Sequence, residues 1–387
     1  MISLIRWFTR WSDRRAERPP MSKRKQTILV AVGVVFAFAL PILNPPIITT
    51  PDSDFGTVLF DAAAYGLVAL GLNIVIGYAG LLDLGYVGFY ATGAYTTAIL
   101  TTYHWHWPFL LALPVAIIVT MIAGVILGAP TLRVRGDYLA IVTLGFGEII
   151  RVCAQNISWL GQAAGISGIA PPPSIGPNPA GAGGGIFSIP HLNWHTFPPL
   201  LDTGAQTHFL KFGVIDRVPY YWLILVAIII VIWADRRMKS SRVGRAWEAT
   251  REDEDAAETM GVPTFKFKLL AFAMGAAIGG LSGSLFASEN SFISPEIFVI
   301  ILSELFVAAV IIGGSGNRWG ALAGGVLVAY LPERFRQFSD YRILVFGLAL
   351  MALAVWRPEG LFPPRRVRRA KRAEAVIADL EGEATNA

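Results

Sequence analysis

Long apolar runs separated by short polar connections dominate the chain. They fall at residues 28–43, 58–77, 85–102, 108–129, 219–234, 269–288, 297–313 and 343–356. A helix needs roughly 17–25 mostly apolar residues to cross about 30 Å of hydrocarbon, and most of these runs meet that length. Two further stretches complete a set of ten: 138–155, which carries Glu148 and Arg151, and 319–331, which is short and Gly-rich. The run at 28–43 is also short and contains Pro41, which loosens its ends. The pattern predicts an all-α fold, a polytopic transmembrane helical bundle of about ten spans (eight to ten). Ten spans take up roughly 200 residues, and what remains is loops and tails, too little for a large enzyme domain.

Composition points the same way. Of 387 residues, 54% are hydrophobic and 15% charged, with a mean hydropathy of +0.54; soluble domains carry about 25% charged residues. Such a chain cannot cover its apolar atoms with polar ones in water, so lipid is its solvent. A single cysteine, Cys153, excludes an internal disulfide framework and a thiolate metal cluster.

Charge then sets a direction. Cytoplasmic loops retain Lys and Arg, and with the N-terminus inside, the inner segments 1–27, 131–137, 235–268, 314–318 and 357–387 hold 26 of the 32 basic residues. The outer segments hold Lys211, Arg217, Arg334, Arg336 and Arg342, and Arg151 lies within a span. Both termini are therefore expected in the cytoplasm. The chain divides into a basic cytoplasmic arm at 1–27, a transmembrane domain at 28–356 and a cytoplasmic tail at 357–387. The arms Arg6–Lys25 and Arg365–Arg372 sit where anionic lipid headgroups attract them, so the net charge of +5 needs no nucleic acid. The first run, behind its long charged arm, reads as an uncleaved anchor rather than a signal peptide.

Two loops differ in kind. The outer loop 156–218, with APPPSIGPNPAGAGGG at its centre, is too rich in Pro and Gly for a packed domain and is expected to form a partly ordered lip. His191 and His195 have the spacing of a helical metal pair, but the surrounding Gly and Pro argue against the helix, and no third ligand is evident. The inner loop 235–268 contains SRVGRAWEATREDEDAAETMGVP, with a Ser start, good helix formers and a Gly261/Pro263 stop. It predicts a short helix at the membrane surface, with Arg245, Arg251, Glu252 and Glu254 available for local pairs. The pattern fits a docking lever for a partner and a merely solvated helix equally.

Gly275, Gly279 and Gly283 repeat every four residues, as do Gly124/Gly128 and Gly320/Gly324, the spacing that lets helices approach closely in lipid. GYAGLLDLG (77–85) and GGSGNRWG (313–320) interrupt or join apolar runs instead. Irregular backbone at membrane depth survives only when buried in protein or lining a wet cavity, so each is either a broken helix that exposes backbone to a solute or a tight turn between spans. Ionisable groups within spans are functional candidates: Asp61, Glu148, Arg151 and Glu304, with Asp83 in the first connection. Glu148 and Arg151, three apart, can neutralise each other. Asn73, Asp83 and Tyr86 around the interruption, with Glu148, are the translocation-path candidates. There is no Walker-A motif, no HExxH, no GxSxG and no plausible Cys/His pair, so no catalytic residues are assigned. An ion- or proton-coupled secondary transporter with Asp61, Asp83, Glu148 and Glu304 as relay is the alternative to a subunit driven by another chain.

Five ordered blocks carry a resemblance: GLNIVIGYAGLLDLGYVGFYATGAYTTAIL (71–100), LRVRGDYLAIVTLGFGEIIRV (132–152), SRVGRAWEATREDEDAAETMGVPTFKFKLLAF (241–272), IIGGSGNRWGALAGGVLVAYLPE (311–333) and WRPEGLF (356–362). Together they resemble the permease subunits of branched-chain amino acid ABC transporters, in the LivM-like branch, over roughly residues 58–364. The resemblance implies a multi-pass permease of the cell inner membrane that pairs with a second homologous permease. Two cytoplasmic ATP-binding subunits would carry the ATP and Mg, leaving no cofactor on this chain, and a periplasmic binding protein would deliver the solute. It also implies that Asp255, Ala256, Ala257 and Gly261 form an EAA-x-x-x-G-like coupling motif, with Asp in place of Glu. LGQAAGISGIAPPPSIG (160–176) departs from the Gly-Gly-x-Asn-Gly-like stretch often found there. Branched-chain amino acids are the leading cargo, beside urea, short amides, and aromatic or dicarboxylic acids.

Overall fold

The computed structural model describes residues 23–45, 54–102, 105–132, 134, 137–174, 191–193, 200–202, 211–212 and 217–334, and scattered positions between 344 and 363. The basic arm before residue 23, the C-terminal tail beyond 363, much of the outer loop, His195 and most of the run 343–356 lie outside the described residues.

Every described apolar run is helical. In chain order the helices are α1 (Lys23–Leu43), α2 (Phe55–Leu72), α3 (Tyr86–Thr102), α4 (Phe109–Thr131), α5 (Asp137–Asn156), α6 (Val218–Lys239), α7 (Arg242–Glu252), α8 (Glu254–Thr259), α9 (Thr264–Asn290), α10 (Ile300–Gly313) and α11 (Arg318–Arg334). Asp54 starts α2, its carboxylate accepting from the Thr57 N–H at 3.1 Å. Among the described residues, six helical stretches are long and apolar enough to cross a membrane: Phe55–Tyr78, Phe109–Thr131, Tyr138–Asn156, Val218–Lys239, Thr264–Asn290 and Pro295–Gly313. Helices α3 and α11 are 17 residues each and fall just short of that length.

Burial does not follow hydrophobicity. Of those six, α4 is the most apolar and the least buried, whereas α2 is the most buried. In water the most apolar helix would be the one covered, so the inversion identifies lipid as the medium around α4. The core sits instead between α9 and the helices it crosses, α4, α3 and α2, with α11 and α6 closing on α2 and α10 on α11.

The glycine repeats lie in these crossings. A Cβ on Gly93 of α3 would collide with the Gly280 carbonyl oxygen of α9, and one on Gly283 with the Tyr90 carbonyl oxygen. Gly124 meets Ala276 and Phe272, and Gly324 meets Ala309 and Gly313. Backbone-to-backbone contact of this kind is how helices adhere in lipid without a hydrophobic driving force.

The structure adds strands to the all-α expectation. Ile166–Ser167 pairs antiparallel with Phe292–Ile293, and His191–Asn193 with Leu200–Asp202. The first pair ties the start of the outer loop to the α9–α10 connection, and nearby Arg217 forms an ion pair at 2.9 Å with Glu289 in the last turn of α9. His191 lies in a strand, so the helical histidine pair does not form.

A second correction concerns 235–268. One helix is expected, and two form. Asp253 adopts an extended conformation (φ −156°, ψ 112°), ends α7 and caps α8, its carboxylate accepting from the Ala256 N–H at 2.9 Å. Ser241 begins α7 as expected, its hydroxyl accepting from the Val243 N–H at 3.2 Å. Gly261, with φ +83°, closes the unit.

Candidate functional site

The interruption between α2 and α3 is neither a tight turn nor a simple loop. After Leu72 the helix widens into a π-turn over Asn73–Tyr78, where Ile74, Val75 and Ile76 form a β-branched run that crowds an α-helical turn. The turn is closed by the Ala79 N–H to the Ile74 carbonyl at 3.2 Å and the Leu81 N–H to the Val75 carbonyl at 3.1 Å. Residues 79–85 then leave helical geometry altogether.

That irregular stretch is packed in protein, with Leu81 and Gly85 buried and Asp83 at 0% exposure. Backbone N–H groups in it and at the start of α3 are met from several elements. The Leu84 N–H donates to Thr143 Oγ1 of α5 at 3.1 Å, the Gly85 N–H to Asp83 Oδ1 at 2.9 Å, and the Val87 N–H to Ser303 Oγ of α10 at 3.4 Å. Buried backbone groups far from water require such partners. Asp83 therefore closes an Asx-turn onto Gly85, the residue that leads into α3. Tyr86, fully buried, donates its hydroxyl to the Gly275 carbonyl of α9 at 2.6 Å. Asn73 accepts from the Gly316 N–H at 2.8 Å, joining the π-turn to the α10–α11 connection.

The structure thus gathers Asn73, Asp83 and Tyr86 around the interrupted helix, with structural bonds on each. Glu148 lies elsewhere. It sits about 16 Å along α5 at a rise of 1.5 Å per residue, on the helix's outward face, in a fork with Arg151 through Nε (3.1 and 3.0 Å) and Nη2. The two side chains remain 34% and 21% exposed. Ile141, Val142, Ile149 and Val152 share that face, and Glu304 of α10 is exposed as well. Ionic groups on an outward surface at such depth require water or protein over them, not lipid. The exposed residues of α4 carry no charge.

Helix α7 and the end of α6 grip the π-turn. Trp247 stacks on Tyr78 with ring centroids 6.4 Å apart and planes at 19°. Lys239 Nζ lies 4.4 Å from the Tyr78 ring and donates to the Gly316 carbonyl at 3.1 Å. The Tyr78 hydroxyl donates to Asp235 Oδ2 at 3.2 Å, and Arg318 pairs with the same oxygen at 3.2 Å. Arg251 Nη1 donates to the Gly77 carbonyl. A cleft of about 380 Å³ opens beside this contact, lined among others by Gly80, Leu132, Arg251, Glu254 and Lys268. Glu254 pairs with Lys268 at 2.5 Å and not with a neighbour on its own helix.

Beyond the grip, Ala257 is buried, whereas Asp255, Ala256 and Gly261 are exposed. Met260 projects with 84% of its surface free. Sequence reasoning missed Met260, although an apolar residue between Thr259 and Gly261 at a loop tip was a usable signal. It also missed Arg251 as a long-range donor, because nothing in sequence links residue 251 to residue 77. Among the described residues, no three His, Cys, Asp or Glu side chains gather as metal ligands.

Comparison with known proteins bears on this arrangement. Residues 55–354 match the family model described as branched-chain amino acid transport system / permease component. The high-affinity branched-chain amino acid transport system permease protein LivM of Escherichia coli (strain K12) is 37% identical over 347 residues, covering 88% of this chain and 76% of that protein. A probable branched-chain amino acid transport permease protein LivM of Methanocaldococcus jannaschii is 22% identical over 351 residues, 78% of this chain and 91% of its own. The Escherichia coli permease protein LivH is 31% identical over 131 residues, 32% of this chain and 42% of its own. No solved structure matches the chain.

Proposed function

Because the chain belongs to the family of branched-chain amino acid transport system permease components, we propose that it is the membrane-spanning permease subunit of an importer for those amino acids, driven by ATP hydrolysis on other subunits. Helices α7 and α8 are its docking lever, and the end of the bundle that carries them faces the cytoplasm, as the Lys and Arg distribution argues. The bacterial relatives favour the inner membrane as its location.

One observation carries this reading. A short, capped helix pair presents Asp255, Ala256 and the exposed Met260 outward while its first member, α7, clasps the broken helix, Trp247 on Tyr78 and Arg251 on Gly77. A solvated surface helix needs no such clasp, and a lever does. Two ATP-binding subunits would receive the outward face. A second permease, related as LivH is to LivM, would cover the outward surface of α5 and α10, enclosing Glu148, Arg151 and Glu304 beside a shared conduit. A binding protein would deliver solute at the opposite end, near residues 166–170 and 291–295.

The test is reconstitution of the chain with a partner permease, the ATPases and a binding protein, followed by ATP-dependent uptake of labelled leucine. Gly261→Pro removes a positive-φ glycine and its N–H bond to Glu258, and Ala257→Asp places a charge in a buried contact; each is expected to abolish uptake while the chain still inserts. Full-rate uptake in both variants would overturn the lever. Gradient-driven uptake by the chain alone would favour a secondary transporter.

A further inference from the structure

Arg251 stands at the joint of the lever, in the last turn of α7 and two residues before Asp253 opens α8. Its guanidinium donates to the Gly77 carbonyl, near the end of the π-turn. The last carbonyls of a helix have no partner within it and carry the negative end of its dipole. The Ile74 and Val75 carbonyls are taken by the Ala79 and Leu81 N–H groups, and the Gly77 carbonyl is taken by Arg251. The stem is held too. Gly80 has φ +74°, and a Cβ there would stand 2.8 Å from Arg251 Cγ. Head and stem thus grip the chain at positions 77 and 80, on either side of the point where helical geometry ends.

The same seven-residue stretch, 79–85, leads from that grip into the interior. It runs through the Asp83 turn to Tyr86; Asp83 is bonded to Gly85, and Tyr86 to the Gly275 carbonyl of the central helix α9. The other polar ties of the lever lead to α9 instead: Trp247 Nε1 of α7 donates to the Phe267 carbonyl at 2.7 Å, and Glu254 of α8 pairs with Lys268. A movement of the lever therefore reaches the interrupted helix by a polar bond through Arg251 and by ring stacking through Trp247.

We propose that Arg251 is the positioning residue that transmits movement of α7–α8 to the broken helix, setting the placement of residues 77–85 as the lever shifts. This rests on the permease reading above. Guanidinium is suited to the task because it stays charged and its fork holds direction, whereas an ammonium is a point charge on a flexible stem.

Two measurements test it. In the reconstituted transporter, Arg251→Met keeps the stem against Gly80 and removes the donor. It is expected to leave ATP hydrolysis within about two-fold of wild type and to lower leucine uptake per ATP about ten-fold, the size expected for loss of one charge-assisted hydrogen bond. Arg251→Lys, which can still donate to a carbonyl, is expected to recover most of that ratio. An unchanged ratio in Arg251→Met, or a parallel fall in hydrolysis and uptake, overturns the proposal. The second measurement is hydrogen exchange on the purified full chain in detergent. Arg251→Met should speed exchange in 77–85 and leave α9 as it was, and unchanged exchange in that segment overturns the proposal as well. If the wild-type assembly fails to import leucine, the permease reading is at fault, and the exchange result decides the role of Arg251.

Discussion

Asp83 is the residue whose meaning changes most on folding. As a carboxylate in a greasy stretch it is a candidate for solute contact, since buried charge is costly. In the folded chain it accepts from the Gly85 N–H in an Asx-turn that leads into α3. Such a turn needs an acceptor oxygen and not a charge, so Asp83→Asn should retain stability and most uptake. Asp83→Ala should lower stability by about 1 kcal/mol, the net worth of one hydrogen bond, measured by thermal unfolding in detergent. A deep loss of uptake in Asp83→Asn would restore the solute-contact role. Glu148 is the opposite case. Its i,i+3 pairing with Arg151 was legible because a helix places those positions together. Its outward placement was not, because one face of α5 looks much like another until the neighbours are known.

At the scale of elements, the apolar runs named the helices to within a few residues, because a span must satisfy its own backbone and so follows local composition. Two features escaped. The π-turn at Asn73–Tyr78 lies inside a continuous apolar run and depends on Asn73 meeting Gly316, 243 positions away. The break at Asp253 was hidden among good helix formers, where any of Glu252, Asp253 and Glu254 could have been the cap. Asp253→Ala should cost about 1 kcal/mol at that joint and loosen α8. Faster hydrogen exchange over 254–259 than in wild type is the expected result, and protection equal to wild type would show that packing alone holds the pair apart.

For the whole molecule, the connections 77–85, 235–268 and 314–317 gather at one end of the bundle through Arg251, Lys239 and Asn73. Residues 166–170, 217 and 288–293 gather at the other through the short sheet and Arg217–Glu289. Sidedness can be read with an impermeant maleimide on a Cys153→Ser background. Met260→Cys is expected to label only from the cytoplasmic side and Phe292→Cys only from the outer side; the reverse pattern would invert the charge argument. The sequence by itself determined the medium, most of the described helices and the start of α7 at Ser241, because transfer into lipid and helix capping are settled by residues close together in the chain. Tertiary structure alone decided that α9 is the central helix, that Leu81, Asp83 and Gly85 are buried within their connection, and that Arg251 holds Gly77. Those facts depend on which backbone carbonyls are left open and which distant side chains arrive to meet them, and that is a property of the packed bundle.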